Sequence, residues 1–278
     1  MKRFKRILVK KKLSRLFSKK YFSVTKREKF VTTVFFLTSG LFIAEHLLGR
    51  SGFFVTIFLS VASVLLFFFC MYKDLKGNMS VQVFILPFLY TLSFGSFYFL
   101  APSRFLTRTI LTTVYGIGLY SLFLSHNIFV VASIRTIALV SGARIVSFAI
   151  TLLSYFFLSK VVFTLNFPIY AKLLLLLTFS YLFILQSLWT VTLEKSLRKN
   201  TLWILALTAC LIELFLALWF WPTTSTFVAI FFTGFFYTIV GLSHAWFDKR
   251  LFKGVMWEYI WVGAFVVGIL ILFTSWRG

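Results

Sequence analysis

Few side chains in this sequence are equipped for chemistry, and Glu213 stands out among them. It sits in Cys210-Leu-Ile-Glu213-Leu-Phe-Leu, near the middle of a long apolar run. A charged side chain at that depth in a bilayer costs roughly 2.5–3.5 kcal/mol on insertion scales, so it marks a functional position by default. Its carboxyl can carry a proton, hold a cation or pair with a base. The packing alternative is a protonated carboxyl bonded to a neighbouring helix. Arg135, in Ala132-Ser-Ile-Arg135-Thr-Ile, is the second candidate. A guanidinium there can meet an acid such as Glu194 or Asp248, or the phosphate of a lipid. Glu213 and Arg135 are the candidate ligand-binding residues.

His126, His244 and Asp248 offer material for acid–base work on a lipid, but their spacing does not bring them together. Glu45 and His46 lie near the end of an apolar run and read as interfacial side chains. There is no HExxH, no GxSxG, no phosphate loop and no DxD pair. Three scattered histidines and two cysteines, Cys70 and Cys210, lack metal-ligand spacing. Both cysteines lie inside apolar runs and read as core thiols. No catalytic residue, metal ligand or cofactor is assigned, and a non-enzymatic role leads.

Composition dictates the elements that must position these residues. Hydrophobic residues make up 60% of the chain and charged residues 13%, against about 45–50% and about 25% in soluble domains. Phenylalanine alone occupies 39 of 278 positions. This excludes a disordered chain, a disulfide scaffold and a water-soluble enzyme. About 30 Å of hydrocarbon takes about 20 apolar residues to cross. Nine runs qualify: 30–48, 52–72, 81–101, 105–125, 145–164, 169–191, 201–221, 226–246 and 257–274. They are continuously apolar rather than alternating, so helices are expected and barrel strands are not. The expected fold is an all-α polytopic transmembrane bundle of about nine spans. Trp189, Trp203, Trp219, Trp221, Trp246, Trp257, Trp261 and Trp276 fall mostly near span ends, as an interfacial aromatic belt does.

The formal charge of +22 raises nucleic acid as a partner, but the placement of the charge argues against it. Thirteen of the 29 basic residues lie in the first 29 positions. With the N-terminus cytoplasmic, the inner segments hold 23 Lys and Arg and the outer ones 6, which is the positive-inside pattern. Residues 1–29 form a basic amphipathic cytoplasmic tail, and 30–278 a transmembrane domain. In the tail Lys2, Arg3, Lys5, Arg6, Lys10, Lys11, Lys12, Arg15, Lys19 and Lys20 alternate with Phe4, Ile7, Leu8, Leu13, Leu16 and Phe17. Such a segment lies on an anionic cytoplasmic leaflet. The stretch 127–144 is apolar but contains Arg135, and a span there would reverse every later loop. A short cytoplasmic interfacial helix, or an extension of the next span, is expected instead. Pro87 lies inside the third span and is expected to free a backbone carbonyl there.

Several stretches together carry a resemblance. They are Asn127-Ile-Phe followed by Ala132-Ser-Ile-Arg135-Thr-Ile, the run Gln186-Ser-Leu-Trp189, and Glu213-Leu-Phe-Leu-Ala-Leu-Trp-Phe-Trp-Pro222. On these the chain resembles an uncharacterised multi-pass membrane protein family of candidate-phyla bacteria of the Patescibacteria type. The resemblance implies a bacterial inner-membrane protein and transfers no activity. It mildly favours a purpose for Asn127, Arg135, Glu213 and Pro222.

Three functions follow as expectations. The first is a non-enzymatic membrane protein that binds lipids, anionic ones at the cytoplasmic leaflet included, or envelope partners. It expects a dry bundle with Glu213 satisfied by a neighbour. The second is a small secondary transporter or channel with Glu213 as an intramembrane ion or proton site. The third is a lipid-modifying membrane enzyme.

Overall fold

The computed structural model describes residues 25–48, 52–75, 80–102, 104–133, 138–193 and 200–274. The tail cations from Lys2 to Lys20, and Arg135, lie outside the described residues. The described secondary structure is helical: α1 (Lys26–Leu48), α2 (Gly52–Leu75), α3 (Gln82–Leu100), α4 (Phe105–Ala132), α5 (Val140–Thr164), α6 (Ile169–Thr192), α7 (Thr201–Trp219), α8 (Ser225–Phe247) and α9 (Lys253–Leu272). Eight of them, α2 to α9, are long and apolar enough to cross a membrane. The chain is therefore an all-α, multi-pass bundle. Helix α1 starts with a capping box: Thr25 N–H donates to Glu28 Oε2 at 2.9 Å, and Glu28 N–H to Thr25 Oγ1 at 3.4 Å. Two orphan donors of the first turn are satisfied in this way.

The described part of 127–144 is not a separate short helix, and its last residues are the extension of the next span that was the other expectation. Residues 127–132 are the end of α4 and 140–144 the start of α5, so its described part is shared between two long helices. Extending α4 keeps the backbone bonds of 127–132 inside one ladder, which a separate short helix would break.

Helices α3 and α5 form the centre. Helix α3 packs on α2, α4, α5 and α6, while α5 packs on α3, α4, α6 and α8. Helices α1 and α2 flank one side. On the other side α7 rests on α6 and α8, and α9 rests on α8. Burial follows that order: 67% of the α3 span is buried, against 28% for α7 and 11% for α9. Small residues let the central helices approach. A Cβ on Gly95 would run into the Thr56 methyl group, and one on Gly118 into the Tyr90 hydroxyl.

Phenylalanine fills the space between. At one end Phe30, Phe67, Phe123 and His126 join α1, α2 and α4, with Phe67 and Phe123 centroids 4.8 Å apart. In the middle Phe94 meets Phe157 edge-on at 4.7 Å, and Phe97 stacks on Phe157 at 4.3 Å. On the α8 side Tyr155 stacks on Phe236 at 4.1 Å and meets Phe183 edge-on. Rings of this kind add about 0.5–1.5 kcal/mol per pair beyond area burial.

Hydroxyls are mostly tied within their own helices. Ser60, Thr91, Thr151, Ser154, Thr208 and Thr238 each donate to the carbonyl four residues back. Helix α3 runs through Pro87, whose carbonyl accepts from Thr91 Oγ1 at 3.0 Å and Ser63 Oγ at 3.1 Å.

Two side-chain expectations change. Cys210 is exposed rather than a core thiol, and Cys70 is half-buried beside Thr33. Trp189 is buried against His126 and Phe129 rather than placed in a belt, whereas Trp203, Trp219, Trp246, Trp257 and Trp261 are exposed.

Candidate functional site

Polar side chains gather at the end of the bundle where α4, α6 and α8 finish and α5 begins. Lys249, Arg250 and Lys253 belong to the same end, so it is called the basic end below. His126 of α4 is fully buried. Its Nδ1 lies 3.1 Å from the Leu122 carbonyl, and its Nε2 3.0 Å from Gln186 Nε2. A carbonyl only accepts, so Nδ1 carries the proton and Nε2 accepts from the Gln186 amide. The ring is thereby held in one neutral tautomer. Gln186 Oε1, Trp189 Nε1 and Asn127 Oδ1 are buried with no hydrogen-bond partner among the described residues.

The next residue of α6, Ser187, has its Oγ 3.0 Å from His244 Nε2 of α8. Beyond it Arg144 of α5 bridges three elements. Its Nε donates to the Thr190 carbonyl at 3.1 Å and its Nη2 to the Val191 carbonyl at 2.8 Å. Its Nη1 reaches both Asp248 oxygens at 3.1 and 3.2 Å. The last carbonyls of a helix have no intrahelical donor, and a cation there also meets the negative end of the helix dipole. Arg144 therefore closes the end of α6 while holding the end of α8. Trp203 of α7 joins this layer through a 3.2 Å bond to Ser243 Oγ.

The histidines and Asp248 are thus brought to one layer, linked through Gln186 and Ser187, which the sequence did not reveal. The layer braces the helix ends. Ser187 and His244 have the separation of a nucleophile and its base, but Ser187 is 2% exposed and Asp248 is bonded to Arg144. No group of three His, Cys, Asp or Glu side chains able to hold a metal occurs among the described residues.

Two clefts lined by described residues lie on the flanks, and a hollow lies at the α8–α9 turn. A 440 Å³ cleft opens between α7, α8 and α9, lined by Trp203, Leu207, Ile239, Leu242, Trp246 and Ile260 among others. Trp246 and Leu251 also line a 420 Å³ hollow at the α8–α9 turn, with Phe247 and Lys249 beside them in its wall. A 330 Å³ cleft lies between α1 and α4, with Val34, Phe35, Thr38, Gly116 and Tyr120 in its walls. The α8–α9 turn is closed by bonds from Lys249 N to the Trp246 carbonyl and from Arg250 N to the Ala245 carbonyl. That is a Schellman pattern, in which glycine is the usual residue at the left-handed position. Lys249 occupies it with φ 56°, at a cost of roughly 1–2 kcal/mol for an L-residue.

Glu213 is exposed on the outward face of α7, with no hydrogen-bond partner among the described residues. The buried stripe of that helix is Ile204, Thr208, Leu211, Phe215 and Leu218. Leu202, Ala206, Ala209, Glu213, Leu216 and Phe220 make the opposite stripe. Asp248, one of the partners expected for Arg135, is bonded to Arg144, and Arg135 itself lies outside the described residues. The side chains of Glu45 and His46 lie outside the description.

No curated protein is significantly similar to the chain. No solved structure is significantly similar to it either. A family match covers residues 71–273, from the last turns of α2 to the end of α9. It includes the polar layer, the α7–α9 cleft and Glu213. On that match the chain belongs to DUF5656, a family of proteins of unknown function.

Proposed function

We propose that the protein is a non-enzymatic component of the cell (inner) membrane that acts by binding lipid along its outer helices. The observation that carries this reading is where the cavities face. The middle of the bundle is filled by buried rings such as Phe94, Phe183, Phe232 and Phe236, while the clefts between α1 and α4 and between α7, α8 and α9 open sideways. A sideways apolar cleft at hydrocarbon depth meets acyl chains before anything dissolved in water. The basic end faces the cytoplasm in this reading, by the positive-inside rule. The tail from Lys2 to Lys20 then lies on the same leaflet, where each Lys or Arg near an anionic surface gains about 1 kcal/mol. The delipidated protein in mild detergent is expected to take lipid back with a saturable stoichiometry, measured by native mass spectrometry. Uptake that rises linearly with added lipid overturns the reading.

Glu213 supports a second reading. An exposed carboxyl at mid-span, flanked by Ala206, Ala209, Cys210 and Ala217, suits either a partner helix or an ion pathway. Replacing Glu213 with Cys in a Cys70→Ser/Cys210→Ser background separates these. Labelling by a membrane-impermeant thiol reagent makes transport the leading function. No labelling in the folded protein leaves Glu213 to lipid or to a membrane-embedded partner, Arg135 being the complementary cation to test in that partner role.

A further inference from the structure

We propose that the α8–α9 turn and the cleft beneath it form one binding site for an anionic phospholipid, with Lys249 on the headgroup phosphate and an acyl chain between α7, α8 and α9. The inference rests on the lipid-binding reading above and names the lipid class and the place. Three independent observations carry it.

The first is continuity. The hollow at the turn and the apolar cleft share Trp246 and Leu251, so a space with the Lys249 cation in its wall passes directly into an apolar cleft of similar volume, 420 against 440 Å³. That is the layout of a phospholipid, with an anionic head above a hydrocarbon tail. The second is charge. Lys249, Arg250 and Lys253 are exposed within five residues of one another. The one acid of this turn, Asp248, is engaged by Arg144 and does not neutralise them. Glu258, on α9, does not line either space. Basic pockets between transmembrane helices at the cytoplasmic side suit anionic headgroups. The third is backbone conformation. Lys249 stands at the left-handed position of the turn, where glycine would relieve strain. A strained residue is kept where its side chain has work to do, and here that side chain lines the hollow.

The third observation supplies the test, because structure and binding predict opposite results for Lys249→Gly. Full-length protein is reconstituted in vesicles of phosphatidylcholine with a trace of either phosphatidylglycerol or phosphatidylcholine bearing a photoreactive acyl chain. Cross-links are mapped by peptide mass spectrometry. Wild-type protein is expected to be labelled around 203–207 and 239–260, about five-fold more by phosphatidylglycerol, the ratio that one cation near an anionic surface provides. In Lys249→Gly that preference falls to near one while the melting temperature stays level or rises. Lys249→Arg keeps it, and Leu207→Trp, which fills the cleft, lowers labelling by both lipids. Equal labelling of the wild type by the two lipids, or an unchanged preference in Lys249→Gly, overturns the site. Strong labelling elsewhere with none here also overturns the site but leaves the lipid-binding reading standing. Labelling nowhere above background removes both.

Discussion

Replacing Arg144 with Ala is expected to destabilise the bundle by about 3 kcal/mol. The figure comes from the two carbonyls that the guanidinium covers, Thr190 O at 3.1 Å and Val191 O at 2.8 Å. A hydrogen bond from a charged donor contributes about 1.5–3 kcal/mol. The Arg144 side chain is 28% exposed, so water replaces part of each lost bond, and the lower figure applies to both. The ion pair is a smaller contribution. Asp248 is 32% exposed, and a pair at such a site gives about 0.2–1 kcal/mol. Asp248→Asn should therefore cost no more than about 1 kcal/mol, and the double-mutant coupling should be of the same size. Lys cannot span two carbonyls and a carboxylate with a planar fork, so Arg144→Lys should lose about 2 kcal/mol despite keeping its charge. The assay is reversible unfolding in mixed micelles of mild detergent and dodecyl sulfate, following tryptophan fluorescence. If Arg144→Ala and Asp248→Asn cost the same within about 0.5 kcal/mol, the guanidinium acts through the ion pair alone. The account of it as a closure of α6 is then refuted.

Two further outcomes are expected. Gly118→Ala places a methyl group against the Tyr90 hydroxyl, which donates to the Tyr115 carbonyl at 3.0 Å; it should cost about 1–3 kcal/mol in the same unfolding assay, and adding Tyr90→Phe should recover part of that. Gln186→Leu leaves His126 Nε2 buried without its donor at 3.0 Å, so a loss of about 1–3 kcal/mol is expected, with proton NMR of the His126 ring reporting the lost bond.

The helices were legible because lipid leaves the backbone no other solution. The limits of α3, α6 and α7 lie within two residues of the expected runs. The packing was harder to read, since a face against lipid and a face against protein are both apolar. Helix α7 shows this: nothing in Leu202, Leu205 and Leu216, which are exposed, distinguishes them from buried Leu211 and Leu218. Glu213 was legible as unusual, but its direction was hidden for the same reason. The His126–Gln186 contact left a signal. Each lies six residues before the end of its helix, α4 and α6, and those helices run the same way, so the two sit at one depth. The part played by Arg144 was not legible, because its two carbonyl acceptors, Thr190 and Val191, are backbone atoms, which a sequence does not advertise.

The inward bonding of hydroxyls has a consequence for biogenesis. Because Ser60, Thr91, Thr151, Ser154, Thr208 and Thr238 satisfy carbonyls of their own helices, each segment can leave the translocation channel with these hydroxyls already satisfied. Central helices such as α3 and α5 can then wait in the bilayer for neighbours made later, such as α8, without a chaperone to mask those groups. Lateral assembly then rests on ring packing, close backbone approach and the few bonds that cross between helices, such as those of Arg144, and the order of synthesis need not match the order of docking.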